Sequence, residues 1–161
     1  MKKLSLVLIT LILAFAGCKK DKIDQPAIDH KLILAYIQAN NLTAKETGTG
    51  LYYVVTAPGT PQPKDSLMLS TSTVYVKYRG YLLDGTTKGI QFDSSYELYE
   101  QPAQFLMSNL IKGFSEGLKL FGKGGKGELI IPSNLGYGTT ANGNIPANSI
   151  LIYDFELVTY Q

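Results

Sequence analysis

The chain has 161 residues, enough for one domain with a real core plus a small extra piece, and its 45% hydrophobic and 17% charged content is ordinary for a globular protein. A single cysteine excludes an intrachain disulfide, and a single histidine argues against a histidine-based metal site. Lys2 and Lys3 lie in a segment that reads as removed; without them the basic side chains equal the 13 acidic ones, a balance that gives no sign of a nucleic-acid partner.

The first element is an address. Met1-Lys2-Lys3 is a short basic start, and residues 4–16 are almost wholly apolar. That run of about 13 residues is shorter than the roughly 20 a spanning helix needs, and it fits the apolar region of a secretory signal. It ends in Phe15-Ala16-Gly17-Cys18. Small residues before the sole cysteine resemble the bacterial lipobox, although Phe15 stands where Leu, Val or Ile is common. The resemblance implies that residues 1–17 are a signal peptide and that Cys18 receives a diacylglycerol after cleavage. The alternative is an ordinary signal peptide with a cysteine near its end. Several acyl chains would hold the protein firmly, since each buried methylene contributes about 0.8 kcal/mol. The expected location is the cell envelope, anchored to a membrane by lipid, with the outer membrane facing the periplasm as the default and surface exposure as the other possibility.

Residues 18–27 are the lipidated cysteine and a polar, unpatterned tether. Residues 28–48 hold a helix and a linker. Over residues 29–40, Leu32, Ile33, Tyr36 and Ile37 fall on one stripe at helical spacing, with Asp29 as the expected cap and Asn40-Asn41 as the stop. The polar face lacks the Lys and Arg of a membrane-lying helix, so the stripe is expected to pack on the domain or on a partner subunit. His30, at the exposed start, is expected to be a surface residue with no chemistry.

Residues 49–161 read as the main domain. Gly48 to Gly50 break the pattern, residues 51–56 are β-rich, and Pro58-Gly59 ends that strand; Pro61 and Pro63 keep the following residues extended or turning. In Val74-Tyr75-Val76-Lys77-Tyr78-Arg79, Val74, Val76 and Tyr78 share one face while Lys77 and Arg79 take the other. Asp84-Gly85 is a turn signal. Ile111, Phe114, Leu118 and Phe121 recur at helical spacing despite Gly113 and Gly117, each of which costs a helix about 1 kcal/mol relative to Ala; their missing side chains would let the helix lie close to a sheet. The run from Gly117 to Gly124 nearly spells a phosphate-binding loop, but its last position lacks the hydroxyl, and it closes a helix where such a loop should open one. Residues 122–127 therefore read as a flexible turn with two solvated lysines. Glu128-Leu129-Ile130-Ile131 reads as a strand that Pro132 ends, and a polar turn then mounts Tyr137 between Gly136 and Gly138. In the last strand Leu151, Tyr153, Phe155 and Leu157 alternate with Ile150, Ile152, Asp154 and Glu156, one face wholly apolar and the other turning polar. Several strands and few helices predict an α+β fold: an antiparallel sheet wrapped on one short helix, preceded by an N-terminal helix.

Four pieces stand in order: residues 74–80, Phe92-Asp93-Ser94-Ser95, residues 110–118, and residues 131–138 closed by Ile145-Pro146-Ala147-Asn148-Ser149 and the final strand. Together they closely resemble the FK506-binding-protein (FKBP) family of peptidyl-prolyl cis-trans isomerases over residues 69–158. The resemblance implies a twisted antiparallel sheet curled around one short helix, and a proline site lined by Tyr78, Phe92, Asp93, Leu110, Ile111, Phe114, Tyr137, Ile145 and Tyr153. Phe114 stands where many members carry Trp, and Tyr153 where Phe is usual. Ala103 replaces a wall aromatic and Asn144 a usually apolar flap residue. The 105–110 loop is shorter than in many members and residues 86–91 form a longer one. Leu98 falls where an Arg would pair with Asp93.

The chemistry implied is rotation about an Xaa-Pro bond, whose barrier of about 18–20 kcal/mol comes from amide resonance. No bond breaks, so no nucleophile, metal or cofactor is required. A twisted amide is less charge-separated than a planar one, and an apolar pocket favours it over the ground state; that difference is catalysis. The resemblance implies that Phe92, Ile111, Phe114, Ile145 and Tyr153 cup the prolyl ring, with Tyr78 and Leu110 beside them. The Ile111 N–H and the Tyr137 hydroxyl would hold substrate carbonyls. Asp93 would either meet the twisting carbonyl or fix Tyr78. The expected partners are proline-containing clients among exported proteins, an FK506-like macrolide, and a membrane through the lipid anchor. The alternative function is a chaperone or assembly module of the same fold with little catalysis.

Overall fold

The computed structural model describes residues 23–60, 68–96 and 101–161. The expected signal segment, Cys18, Pro61, Pro63 and Leu98 lie outside the described residues. Helix α1 (Gln25–Ala39) starts earlier than its apolar stripe suggests, because Asp24 is the cap, accepting from the Ala27 N–H at 3.3 Å, and Pro26 suits the first turn. Asp29 is therefore no cap. It lies within the helix, 1% exposed, with its carboxylate turned to the rest of the protein. Asn40 ends the helix as expected. The buried stripe is narrower than expected: Ile33 and Tyr36 are buried and Ile37 is half-buried, but Leu32 is exposed.

Strands β1 (Ala44–Glu46), β2 (Tyr52–Ala57), β3 (Thr73–Asp84), β4 (Thr87–Ser94), β5 (Ala103–Leu106), β6 (Gly125–Ile131) and β7 (Leu151–Tyr160) form one antiparallel sheet in the order β1-β2-β6-β7-β3-β4, with β5 also on β3. Residues 87–91, expected in a loop, are part of β4, which folds back across the Asp84-Gly85 turn. β3 is long enough, at 12 residues, for two strands to share its outer edge. β5 pairs with residues 73–76 and β4 with residues 79–84. Between them Ser95 fills the break, donating its N–H to the Tyr78 carbonyl at 3.0 Å and accepting the Tyr78 N–H on its hydroxyl at 2.8 Å.

The sheet is covered on both faces. Its concave face carries Val74, Val76, Tyr78, Leu129, Ile131, Tyr153, Phe155 and Leu157, packed on Phe114 and Leu118 of helix α2 (Lys112–Leu118) and on Phe121. Its outer face carries Tyr52, Ile130, Ile150 and Ile152, packed on Ile33 and Tyr36 of α1. Burying each such side chain stabilises the fold by about 1.5–3 kcal/mol. This explains the mixed pattern of β7, whose second face is apolar only where α1 lies over it. Further along that face, Lys88 joins Asp154 at 2.6 Å and Glu128 at 2.7 Å. Residues 122–127 are not a loose turn. A side chain on Gly122 would strike the Thr60 backbone, Lys123 lies 4.8 Å from the centre of the Tyr160 ring, and Lys126 pairs with Glu156 at 3.0 Å.

Gly113 and Gly117 face the sheet from α2. A methyl group on Gly113 would overlap Ile131, and one on Gly117 would sit 2.6 Å from Leu129 Cδ2. Gly117→Ala should therefore destabilise the protein by about 1–3 kcal/mol through overpacking, seen as a lower urea midpoint. An unchanged midpoint would mean that the helix can lift from the sheet without cost.

Candidate active site

The break in the outer edge of β3 brings Tyr78 to one side of a cavity of about 200 Å³ between α2, β7 and the loops at the concave end of the sheet. The Tyr78 hydroxyl donates to Asp93 Oδ2 at 2.7 Å, and the other carboxylate oxygen accepts the Ser94 N–H at 2.8 Å. Asp93 is thus held at the rim with each oxygen occupied by a protein donor, and its carboxylate fixes the direction of the Tyr78 phenol.

Rings form the floor. Phe114 stacks on Tyr153 with centroids 4.6 Å apart and planes 30° apart, and Tyr78 stands 6.1 Å from Phe114 and 5.9 Å from Tyr153. Phe92 meets Tyr153 edge-on at 5.6 Å, an arrangement that suits the ring quadrupoles. Gly80 makes room for that pair, because a Cβ there would lie 2.7 Å from the Phe92 ring and 3.0 Å from Tyr153. The rim above α2 is Leu110 and Ile111. Ile111 is the cap residue of α2, in extended geometry (φ −58°, ψ 150°), and among the described residues its N–H donates to no group. Tyr137 closes the opposite side from a loop in which Gly138 adopts φ +62°, a left-handed angle that glycine takes at no steric cost.

Of the residues expected at the site, Tyr78, Asp93, Leu110, Ile111, Phe114, Tyr137 and Tyr153 line this cavity. Phe92 and Ile145 do not. Phe92, half-buried, meets the edge of Tyr153 beside the cavity, and Ile145, 6% exposed, is part of the concave core. Two lining residues were missed, Phe105 and Asn109. Phe105 lies 5.8 Å from Tyr78 and supplies an aromatic wall from β5. A signal existed: Ala103 and Phe105 are two apart and share a strand face, so an aromatic absent at one could stand at the other. Ala103 borders a neighbouring cavity of about 340 Å³ that shares Tyr78 and Asp93 with the first. Asn144 is exposed. Among the described residues no group of three His, Cys, Asp or Glu side chains could hold a metal, and no helix is long and apolar enough to cross a membrane.

A curled sheet, a short helix in its hollow and an aromatic cup with few polar groups at its rim define the prolyl isomerase domains of the FK506-binding type. The chain belongs to the FKBP-type peptidyl-prolyl cis-trans isomerase family, whose model matches residues 65–158. It is 44% identical over 115 residues to the isomerase FkpA of Escherichia coli strain K12, covering 71% of this chain and 39% of that protein. The crystal structure of Escherichia coli FkpA superposes with a TM-score of 0.66 at 32% identity, covering 85% of this chain and 62% of that one. A peptidyl-prolyl cis-trans isomerase from Pseudomonas syringae pv. tomato superposes with a TM-score of 0.65 at 27% identity, covering 84% of this chain and 95% of that one. The chain spans about two fifths of the length of the first curated relatives it matches.

Burial pushes the Tyr78 and Tyr153 phenols far above the ordinary value of 10.0, and the Asp93 carboxylate adds to both. Tyr52 on the outer face is pushed up to about 12, by burial first and then by Glu46. Above about pH 10 the unfolded chain releases phenolic protons that the folded chain keeps. Stability should therefore fall as pH rises from about 10 towards about 12, and Tyr78→Phe should flatten that slope in a series of urea midpoints. Equal slopes would show that the phenol is not held away from water.

Proposed function

We propose that this protein is a peptidyl-prolyl cis-trans isomerase acting on proline-containing segments of exported proteins. The observation that carries the reading is the convergence of an aromatic floor, an Ile111 N–H that donates to no group among the described residues, and Tyr137 on one cavity of about 200 Å³. The prolyl ring enters the cup over Phe114 and Tyr153. The Ile111 N–H and the Tyr137 hydroxyl hold carbonyls of the client chain, so that one side of the Xaa-Pro bond is fixed while the other turns. The surrounding rings favour the twisted amide over the planar one because it is less charge-separated. Asp93 acts through Tyr78: its oxygens already serve Tyr78 and Ser94, which suits orientation of the wall better than contact with the turning carbonyl. An FK506-like macrolide would occupy the same cup. Phe114 in place of a larger indole and the neighbouring cavity at Ala103 make this a roomier site, with consequences for ligand preference.

We further infer that Cys18 carries a lipid and that the enzyme works from a membrane of the cell envelope, with the outer membrane facing the periplasm as the working location. Residues 1–17 then form the removed signal, and residues 65–158 carry the catalytic fold. The support is the small-residue border before the only cysteine.

The full chain in detergent should accelerate isomerisation of a peptide with several residues before its proline, and Tyr137→Phe should lower kcat/KM by roughly tenfold, the loss expected for one hydrogen bond of about 1.4 kcal/mol. No acceleration by the wild-type chain would leave the fold as a binding module. Separately, Cys18→Ser should move the protein from the membrane to the soluble fraction of fractionated cells; retention in the membrane would exclude Cys18 as the anchor.

A further inference from the structure

Asp29 is 1% exposed and Ser133, 104 residues away in sequence, is 2% exposed. One carboxylate oxygen, Oδ2, accepts both the Ser133 backbone N–H at 2.8 Å and the Ser133 hydroxyl at 2.6 Å, while Oδ1 accepts from Gln25 Nε2 at 2.7 Å. A buried carboxylate is costly unless its oxygens are satisfied, and here three donors converge on it. Apolar packing through Ile33 and Tyr36 already attaches α1 to the sheet. The carboxylate does something that apolar contacts cannot: by gripping the N–H and the hydroxyl of one residue, it sets the orientation of that residue's backbone.

What Ser133 does with that orientation is visible next. Its carbonyl accepts the Gly136 N–H at 3.0 Å and the Gly138 N–H at 2.8 Å, the amides on either side of Tyr137. The Gly138 carbonyl in turn accepts the Asn148 N–H at 2.7 Å. Tyr137 sits on two glycines, the most permissive mount available to a backbone, and its position is defined by these bonds.

We propose that Asp29 and Ser133 are positioning residues for Tyr137, so that helix α1 is part of the isomerase site and not only a spacer before it. This rests on the isomerase reading above. The carboxylate fixes the Ser133 peptide, the Ser133 carbonyl pins the two glycine amides, and the Tyr137 hydroxyl is thereby held at the cavity. Displacement of a positioned group by an ångström is enough to slow an enzyme by up to about a hundredfold, so loss of the grip has a kinetic effect beyond its effect on stability.

The test is a mutant cycle in the full chain in detergent, scored as kcat/KM for proline isomerisation. Asp29→Ala should lower it about tenfold, Ser133→Ala by less because the Ser133 N–H keeps its partner, and the isosteric Asp29→Asn should restore most of the activity. Leu32→Ala, exposed on the same helix, should change nothing. In a Tyr137→Phe background, Asp29→Ala should cost less than about twofold, because the hydroxyl it positions is already gone. In 15N-labelled protein, the Gly136 and Gly138 amide signals should shift in Ser133→Ala while that of Gly85, in the distant β3–β4 turn, stays in place. If the wild type is active and Tyr137→Phe is slow, but Asp29→Ala and Ser133→Ala match the wild type within twofold, the positioning role is wrong. Equal losses from Asp29→Ala in both backgrounds would also overturn it, as they would mark general damage to the fold. If Asp29→Ala does not fold, Ser133→Ala and Asp29→Asn decide the matter by the same criteria. An inactive wild type would overturn the isomerase reading itself, and the inference with it.

Discussion

The close approach of α2 to the hollow of the sheet is the constraint from which the site follows. Gly113 and Gly117 present no side chains to Ile131 and Leu129, so the helix backbone settles against β6. Only at that depth does Phe114, in the first turn, lie flat on Tyr153 at 4.6 Å. The same depth brings Ile111 to the rim with its N–H uncommitted among the described residues. Two glycines weaken the helix by about 1 kcal/mol each relative to Ala. The rings they allow to meet recover that cost, since each buries most of its surface and ring pairs add roughly 0.5–1.5 kcal/mol beyond burial.

The sheet that receives α2 has a second task. β7 offers Tyr153, Phe155 and Leu157 to the helix in the hollow and Ile152 to α1 on the outer face. Where α1 no longer covers it, that outer face turns ionic, with Lys88 between Asp154 and Glu128. Burial holds the Glu128 carboxyl above its ordinary range although Lys88 acts against this. The Lys88 ammonium, disfavoured by burial, is held above its own range by the two carboxylates. The helix before the domain is thus packed on the sheet through Ile33 and Tyr36 and bonded to the Tyr137 loop through Asp29. Hollow and outer face meet at Ser133.

Much of this was legible in the residues. The alternation in residues 74–79 and 151–157 placed the right side chains inward, because a strand has period two whatever surrounds it. The glycines of α2 announced a close helix–sheet contact, and Asp84-Gly85 announced its turn. Other elements were not legible. Residues 87–91 carry no clean alternation, and they form a strand only because β3 is long enough to pair with them. Asp29 looked like a cap because Asp at a helix start usually is one; its real partner is 104 residues away and leaves no local trace. Leu32 belongs to the apolar stripe by spacing but points to solvent, since the contact with the sheet is narrower than the stripe. Phe105 escaped notice because β5 is short and its pairing with β3 is decided across the fold.

The sequence by itself determined the ordered motifs, hence the family, the curled antiparallel sheet and most of the side chains that line the cup. It also determined the expectation of a lipidated Cys18, since that border is read directly from consecutive residues. Local pattern is sufficient for these because backbone period, turn chemistry and short motifs act over a few residues. Only the tertiary structure decided that Phe105 and Asn109 line the cup, with Phe92 edge-on to Tyr153 and Ile145 in the core. It alone decided that Asp93 spends its oxygens on Tyr78 and Ser94, and that Asp29 holds Ser133. Those are matters of which groups the folded chain brings within about 3 Å of one another, and that distance is set by the packing of the whole sheet between two helices.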